Sequence, residues 1–224
     1  MPLFFQQHIN GDTRLAVWRI EEDESFFRAS VSVDTTVTHP QKRLQHLAGR
    51  FLLRMLFPDF PVEGIRIAET RKPYLEDGSF QFSISHCGAF AAAVVSRDLR
   101  VGIDVEEATP RIRRIITKFL HPDERIWLES DSRTGYTPDA PGDDWTPFIA
   151  PTLMWSVKEA VFKWHGDGGV DFSEHIRIRP YEPQKEGSIS VDFLKGRSLS
   201  MILHYRIFER LCLSWVSSAQ SRPL

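Results

Sequence analysis

Val101-Gly102-Ile103-Asp104-Val105-Glu106 reads as a β-strand that carries two acids on one face. Successive strand side chains point to opposite faces, so Asp104 and Glu106 lie side by side, roughly 6.5 Å apart along the backbone. Ile103 and Val105 take the other face. A single cation could sit between the acids. Gly102 removes a side chain just before Asp104, which lets a ligand or another backbone approach. Taken alone, the pattern also describes an amphipathic edge strand whose acids face water.

A second segment, Trp155-Ser156-Val157-Lys158-Glu159-Ala160-Val161-Phe162-Lys163, has helical spacing. Trp155, Glu159 and Lys163 fall at i, i+4 and i+8 along one stripe, and Val157, Ala160, Val161 and Trp164 form an apolar stripe that anchors the helix. Two ordinary explanations compete with a functional one. Ser156-Val157-Lys158-Glu159 fits a capping box, which would place a helix start there. Glu159 and Lys163 also fit a surface ion pair contributing about 0.3 kcal/mol. Jointly, the two segments supply three carboxylates and two lysines, a set suited to a phosphoanhydride. Oxygen donors without a cysteine–histidine cluster select a hard cation, magnesium first, with manganese as the alternative.

Around these segments the periodicity alternates between helix and strand. Leu44, Leu47, Ala48, Phe51, Leu52, Met55 and Leu56 give one apolar helix face over residues 41 to 57, with Pro40 suited to its start and Pro58 to its end. Arg43, His46, Arg50 and Arg54 flank that face as a cationic edge. Phe80, Phe82 and Ile84 alternate with polar residues as a half-buried strand, and Ala89 to Ser96 reads as a buried one. Arg111 to Leu128 returns to helical spacing, which Pro122 divides into two helices or one broken helix. Residues 130 to 151 are rich in turn formers and predict a long, mobile loop. A helix from Thr152 to Trp164 follows, then strands over Ile176 to Arg179, Ser188 to Phe193, Leu199 to Glu209 and Leu211 to Ser217. This order predicts an α+β fold in two lobes, residues 1–100 and 101–224.

Bulk properties narrow the class. With 224 residues, 42% hydrophobic, the chain is long enough for a packed core. Lys plus Arg number 28 against 30 Asp plus Glu, so the charge balance gives no support to nucleic-acid binding. Two distant cysteines, Cys87 and Cys212, argue against a disulfide framework or a structural zinc site. The start of the chain lacks the pattern of a secretory signal, and no apolar run approaches the roughly 20 residues of a membrane span. A cytoplasmic protein is expected.

The segments resemble the hallmark of the 4′-phosphopantetheinyl transferase superfamily, of the larger, monomeric Sfp type. Gly102-Ile103-Asp104-Val105-Glu106 matches its Gly-Ile/Val-Asp-x-Glu, and Trp155 to Lys163 matches its Trp-Ser/Thr-x-Lys-Glu-Ala/Ser-x-x-Lys. Weaker likenesses precede them in order. Leu47 to Arg54 is similar to the family's early helix. Arg71-Lys72-Pro73-Tyr74 resembles a Gly-Lys-Pro-aromatic loop, and Phe82-Ser83-Ile84-Ser85-His86-Cys87-Gly88 resembles Phe-Asn-Ile-Ser-His-Ser-Gly. Arg71 and Cys87 depart from the family's glycine and serine.

The resemblance implies two similar α/β lobes related by a pseudo-two-fold, with the site in the cleft between them. It implies magnesium-dependent transfer of the phosphopantetheine arm of coenzyme A to a serine of an apo acyl or peptidyl carrier protein, releasing adenosine 3′,5′-bisphosphate. Asp104, Glu106 and Glu159 would hold the metal, Glu159 would take the serine proton, and Lys163 would pair with a phosphate oxygen. Lys158 would face phosphate or solvent. Ser85 and His86 would bind coenzyme A phosphate, Lys72 and Pro73 would lie along the adenine, and Arg43, His46 and Arg50 are candidates for the 3′-phosphate. Arg111, Arg113, Arg114 and Lys118 form either a docking patch for an acidic carrier or a solvated helix face. No membrane or nucleic-acid partner is implied. A catalytically inactive coenzyme A or nucleotide-binding module is the alternative reading.

Overall fold

A computed structural model describes residues 2–31, 37–139 and 144–219. Among the described residues the chain forms two compact units, one running to Ile103 and including Ser217–Ala219, the other lying within Asp104–Val216. It is mixed α+β throughout.

In the first unit, β1 (Leu3–His8) and β2 (Thr13–Arg19) open the chain, followed by the short helix α1 (Glu24–Arg28) and the long helix α2 (Pro40–Leu56). A hairpin of β3 (Ile65–Ile67) and β4 (Pro73–Leu75) precedes β5 (Gln81–Cys87) and β6 (Phe90–Ser96). The antiparallel sheet has the order β1-β2-β6-β5. Helix α2 forms where its periodicity requires, with Pro40 in the first turn and His39 Nδ1 accepting from the Lys42 amide as N-cap. Leu47, Ala48, Leu52, Leu53 and Leu56 pack with Ala91, Ala93 and Val95 of β6 in one core. Gly49 sets the approach of α2 to β5, because a Cβ there would stand 2.7 Å from Ile84 Cγ2. That contact brings His46 and His86 to a ring separation of 5.7 Å.

Strand β7 (Leu99–Glu107) carries the chain into the second unit. The helices α3 (Ile116–Phe119), α4 (Pro122–Ser130), α5 (Ile149–His165) and α6 (Phe172–His175) follow, then β8 (Ile176–Ile178), β9 (Glu186–Phe193), β10 (Leu199–Phe208) and β11 (Leu211–Ala219). The sheet order is β7-β11-β10-β9-β8. Leu153, Met154, Val157, Ala160 and Val161 of α5 pack in one core with Ile189, Val191, Leu203 and Tyr205 of the sheet.

Pro122 resolves the ambiguous helical stretch into α3 and α4. The capping box is at His121, not Ser156. His121 Nδ1 accepts from the Asp123 amide while Glu124 accepts from the His121 amide at 2.7 Å. Helix α5 begins seven residues before Ser156, whose hydroxyl instead shares a 2.8 Å hydrogen bond with Ser214. Within the expected loop, short 3₁₀ turns occupy Ser132–Thr134 and Thr146–Phe148, and residues 140–143 lie outside the described residues.

Candidate active site

Strand β7 presents Asp104 and Glu106, and helix α5 presents Trp155, Glu159 and Lys163, all within the second unit. Lys163 Nζ donates to Asp104 Oδ1 at 2.6 Å, with Asp104 only 2% exposed. Trp155 Nε1 donates to Glu106 Oε1 at 3.4 Å, a long bond. The indole is fixed between the rings of Phe119 and Phe172, at 5.1 and 5.4 Å.

The electrostatics of these acids are frustrated. Burial, then the charge of Asp104, pushes Glu106 up to about 8, against the pull of Lys163 and Trp155. Burial and Asp104 likewise raise Glu159 to about 7, with Lys163 opposing. One ammonium therefore does not balance three half-buried or buried carboxylates. The donor set is all oxygen, which fits a hard divalent cation better than zinc or copper. Among the described residues, however, no three His, Cys, Asp or Glu side chains converge into a ready coordination cluster. Cys212 adds no nucleophile, because burial, Glu106 and Asp104 all push its thiol up.

Lys158 does not meet the expectation of a phosphate contact. It is fully buried, and its ammonium donates to Phe119 O at 2.8 Å, Glu124 Oε2 at 2.6 Å and Phe172 O at 2.9 Å. All three of its donors are thereby used. The reason is helical geometry: at one residue from Glu159 and three from Trp155, Lys158 turns toward α3, α4 and α6. It joins those helices to α5 and so fixes the helix that carries Glu159.

In the first unit, a cavity of about 230 Å³ is lined by His46, Arg50, Ile67, Arg71, Pro73 and His86, among others. Four of the residues expected at coenzyme A meet there: His46, Arg50, Pro73 and His86. Three do not line it. Ser85 is buried on the opposite face of β5 from His86, as strand alternation dictates. Arg43 is turned away by an ion pair to Glu24 at 2.7 Å and by bonds to the carbonyls of Val37 and Thr38. Lys72 contributes its carbonyl to the turn, accepting from the Ala68 amide. Arg71 and the apolar Ile67 were not expected among the site residues. The signal for Arg71 was its replacement of a glycine.

Comparison with known proteins decides the family. A family model described as the 4′-phosphopantetheinyl transferase superfamily matches residues 100–215, which include Asp104, Glu106 and Glu159. The chain belongs to that superfamily. It is similar to enterobactin synthase component D of Salmonella typhi, at 33% identity over 154 residues, covering 67% of this chain and 56% of that protein. Enterobactin synthase component D of Escherichia coli (strain K12) is 31% identical over 126 residues, 55% of this chain and 54% of its own length. A protein named 4′-phosphopantetheinyl transferase gsp, from Aneurinibacillus migulanus, is 29% identical over 124 residues, 54% and 46% respectively. The matches thus span about half the length of these relatives.

Proposed function

We propose that this chain transfers the 4′-phosphopantetheine arm of coenzyme A to a serine of an apo acyl or peptidyl carrier protein, releasing adenosine 3′,5′-bisphosphate. The observation that carries the reading is the Asp104–Glu106–Glu159 group with Lys163 in contact, inside the superfamily match. Magnesium, or manganese, held by the three carboxylates would neutralise charge on the pyrophosphate. Glu159 would take the proton of the carrier serine as general base. Lys163 exchanges Asp104 for a phosphate oxygen as charge develops on the leaving group. In the first unit, the cationic cavity suits the phosphorylated adenosine end of coenzyme A.

For the carrier, Arg111, Arg114 and Lys118 are exposed and available as a basic docking patch. Arg113 is committed elsewhere, donating to Pro138 O at 2.8 Å and lying 5.0 Å over the Phe148 ring. Action as a cytoplasmic monomer is part of the same proposal. Among the described residues no helix is long and apolar enough to cross a membrane.

The test is incubation with magnesium, coenzyme A and an apo carrier protein, followed by intact-mass spectrometry of the carrier. A gain of one phosphopantetheine is expected, and Glu159→Gln should abolish it while coenzyme A still binds. Cleaved coenzyme A with unmodified carrier would indicate a hydrolase. No product at all would indicate a binding module.

A further inference from the structure

Lys158 and Trp155 are tied to the same two residues. The buried Lys158 ammonium donates to the carbonyls of Phe119 at 2.8 Å and Phe172 at 2.9 Å. The rings of those two residues are the ones that enclose the Trp155 indole, Phe119 at 67° and Phe172 at 56° to its plane. Phe119 is the last residue of α3 and Phe172 the first of α6, so each ring comes from the end of a short helix that the lysine ties to α5. Phe172 also meets the ring of Phe162, two turns further along α5. The indole cannot swing without displacing a ring whose backbone a buried charge holds.

The slot gives the indole a direction. Its Nε1–H points at Oε1 of Glu106, and Glu106 makes no other hydrogen bond among the described residues. One N–H occupies one carboxylate oxygen and leaves the other for a cation. A glutamate with no such partner turns about three side-chain torsions and loses that freedom when it coordinates a metal. Here the loss has already occurred before a metal arrives, as when an outer partner orients a ligating side chain. The same helix treats the strand's other acid alike, because Lys163 donates to Asp104 Oδ1 eight residues beyond Trp155. Donors at 155 and 163 thus each take one oxygen of a β7 acid, with Glu159 midway between them along α5.

We infer that Trp155 is a positioning residue for the metal, holding Glu106 so that one of its oxygens is left for the cation, and that Lys158 positions Trp155 in turn. The inference rests on the proposal that the carboxylates hold magnesium. It gives Lys158, which reaches no phosphate, a part in the chemistry beyond packing.

Calorimetric titration of the full chain with magnesium alone, without coenzyme A or carrier, tests it. Trp155→Phe keeps a ring between Phe119 and Phe172 and removes only the N–H donor. It should melt close to the parent and bind magnesium about threefold more weakly, a small loss because the bond is long. Phe172→Leu opens the slot while leaving its carbonyl to Lys158. It should weaken magnesium about as much in the parent, and not further in Trp155→Phe. Lys158→Met, measured at a temperature where it is folded, should show the same dependence on Trp155. In the ¹⁵N–¹H spectrum of the parent, the Trp155 indole signal should shift on addition of magnesium, with the affinity found by calorimetry. Trp155→Phe that binds magnesium as the parent does overturns the inference and leaves the metal reading standing. Additive losses in both double variants would make Lys158 a support of the fold alone. A parent that binds no magnesium removes the metal reading and the inference with it. Magnesium binding that depends on Trp155, together with an unmodified carrier protein, would remove the transfer reading and leave the positioning role.

Discussion

Lys163 and Asp104 form a 2.6 Å ion pair in which the acid is 2% exposed and the ammonium about a quarter exposed. The pair means that a cation of the protein's own already satisfies part of the carboxylate group. Asp104 raises both Glu106 and Glu159, and Lys163 is the group that opposes it in each case. Four measurable consequences concern this second unit or the sheet contact of the first, and one concerns the partner.

Lys163→Met should bind magnesium more tightly than the parent when coenzyme A is absent, although transfer should fall. Removing a positive charge from three carboxylates raises their attraction for another cation by about 1 kcal/mol after solvent screening, or about fivefold. Isothermal titration with the metal alone reads the effect. Weaker binding would mean that Lys163 holds the acids in place for the metal.

The metal-free protein should lose stability as pH rises from about 5 to 8. Glu106 and Glu159 have folded values raised to about 8 and about 7 from an ordinary 4.5. Their protonated forms favour the fold fully below the unfolded value, and that contribution fades as pH passes the folded values. Lys158, depressed to about 8, acts in the opposite sense but only above that pH. Melting temperatures across this range should fall without magnesium and flatten with it. A flat profile without metal would contradict the raised proton affinities of Glu106 and Glu159.

Lys158→Met should destabilise the second unit by about 3–5 kcal/mol, because it leaves Glu124 buried without its cation. Glu124 is 5% exposed and also accepts from the backbone amides of His121 and Ile178, each at 2.7 Å. Adding Glu124→Gln should recover only part of the loss, since one amide oxygen cannot serve both backbone donors. Urea denaturation of the two single variants and the double variant measures the coupling.

Gly49→Ala should destabilise the first unit by about 1 kcal/mol, opposite to the usual gain for alanine in a helix. The new methyl would overlap Ile84 Cγ2 at 2.7 Å, and a β-branched side chain yields little. A denaturation midpoint at or above that of the parent would show that Ile84 moves aside.

Charge reversal at Arg111, Arg114 and Lys118 together should raise the KM for carrier protein about tenfold and leave that for coenzyme A unchanged. Arg113→Glu should instead lower the melting temperature, because its guanidinium is tied to Pro138 and Phe148. Unchanged carrier kinetics in the triple variant would remove the docking patch.

Much of this chain follows from local pattern. The three-and-four spacing over α2 and α5, the alternation in β5 and the proline at 122 each fix an element, since helix and strand periods are set by backbone geometry alone. Element ends were less legible. The helix expected from Thr152 starts three residues earlier, at Ile149, and the capping pattern offered by Ser156 is superseded by a buried partner, Ser214. No strand was assigned from the sequence in the first forty residues, where β1 and β2 lie. Residues Leu15 to Val17 of β2 are wholly buried, so apolar side chains face both ways and the alternation is lost.

By itself the sequence determined which acids and cations belong together, because residue type and spacing along a strand or helix fix which side chains share a face. Only tertiary structure decided what each of them meets. Lys158 and Lys163 are equivalent as letters in one motif, yet packing sends one to a buried glutamate and three helices and the other to Asp104. Arg43 and Arg71 are equally basic, yet an ion pair removes the first from the cavity while a left-handed turn presents the second to it. Burial, pairing and shifted proton affinities depend on residues distant in the chain, and the order of residues along one segment does not contain them.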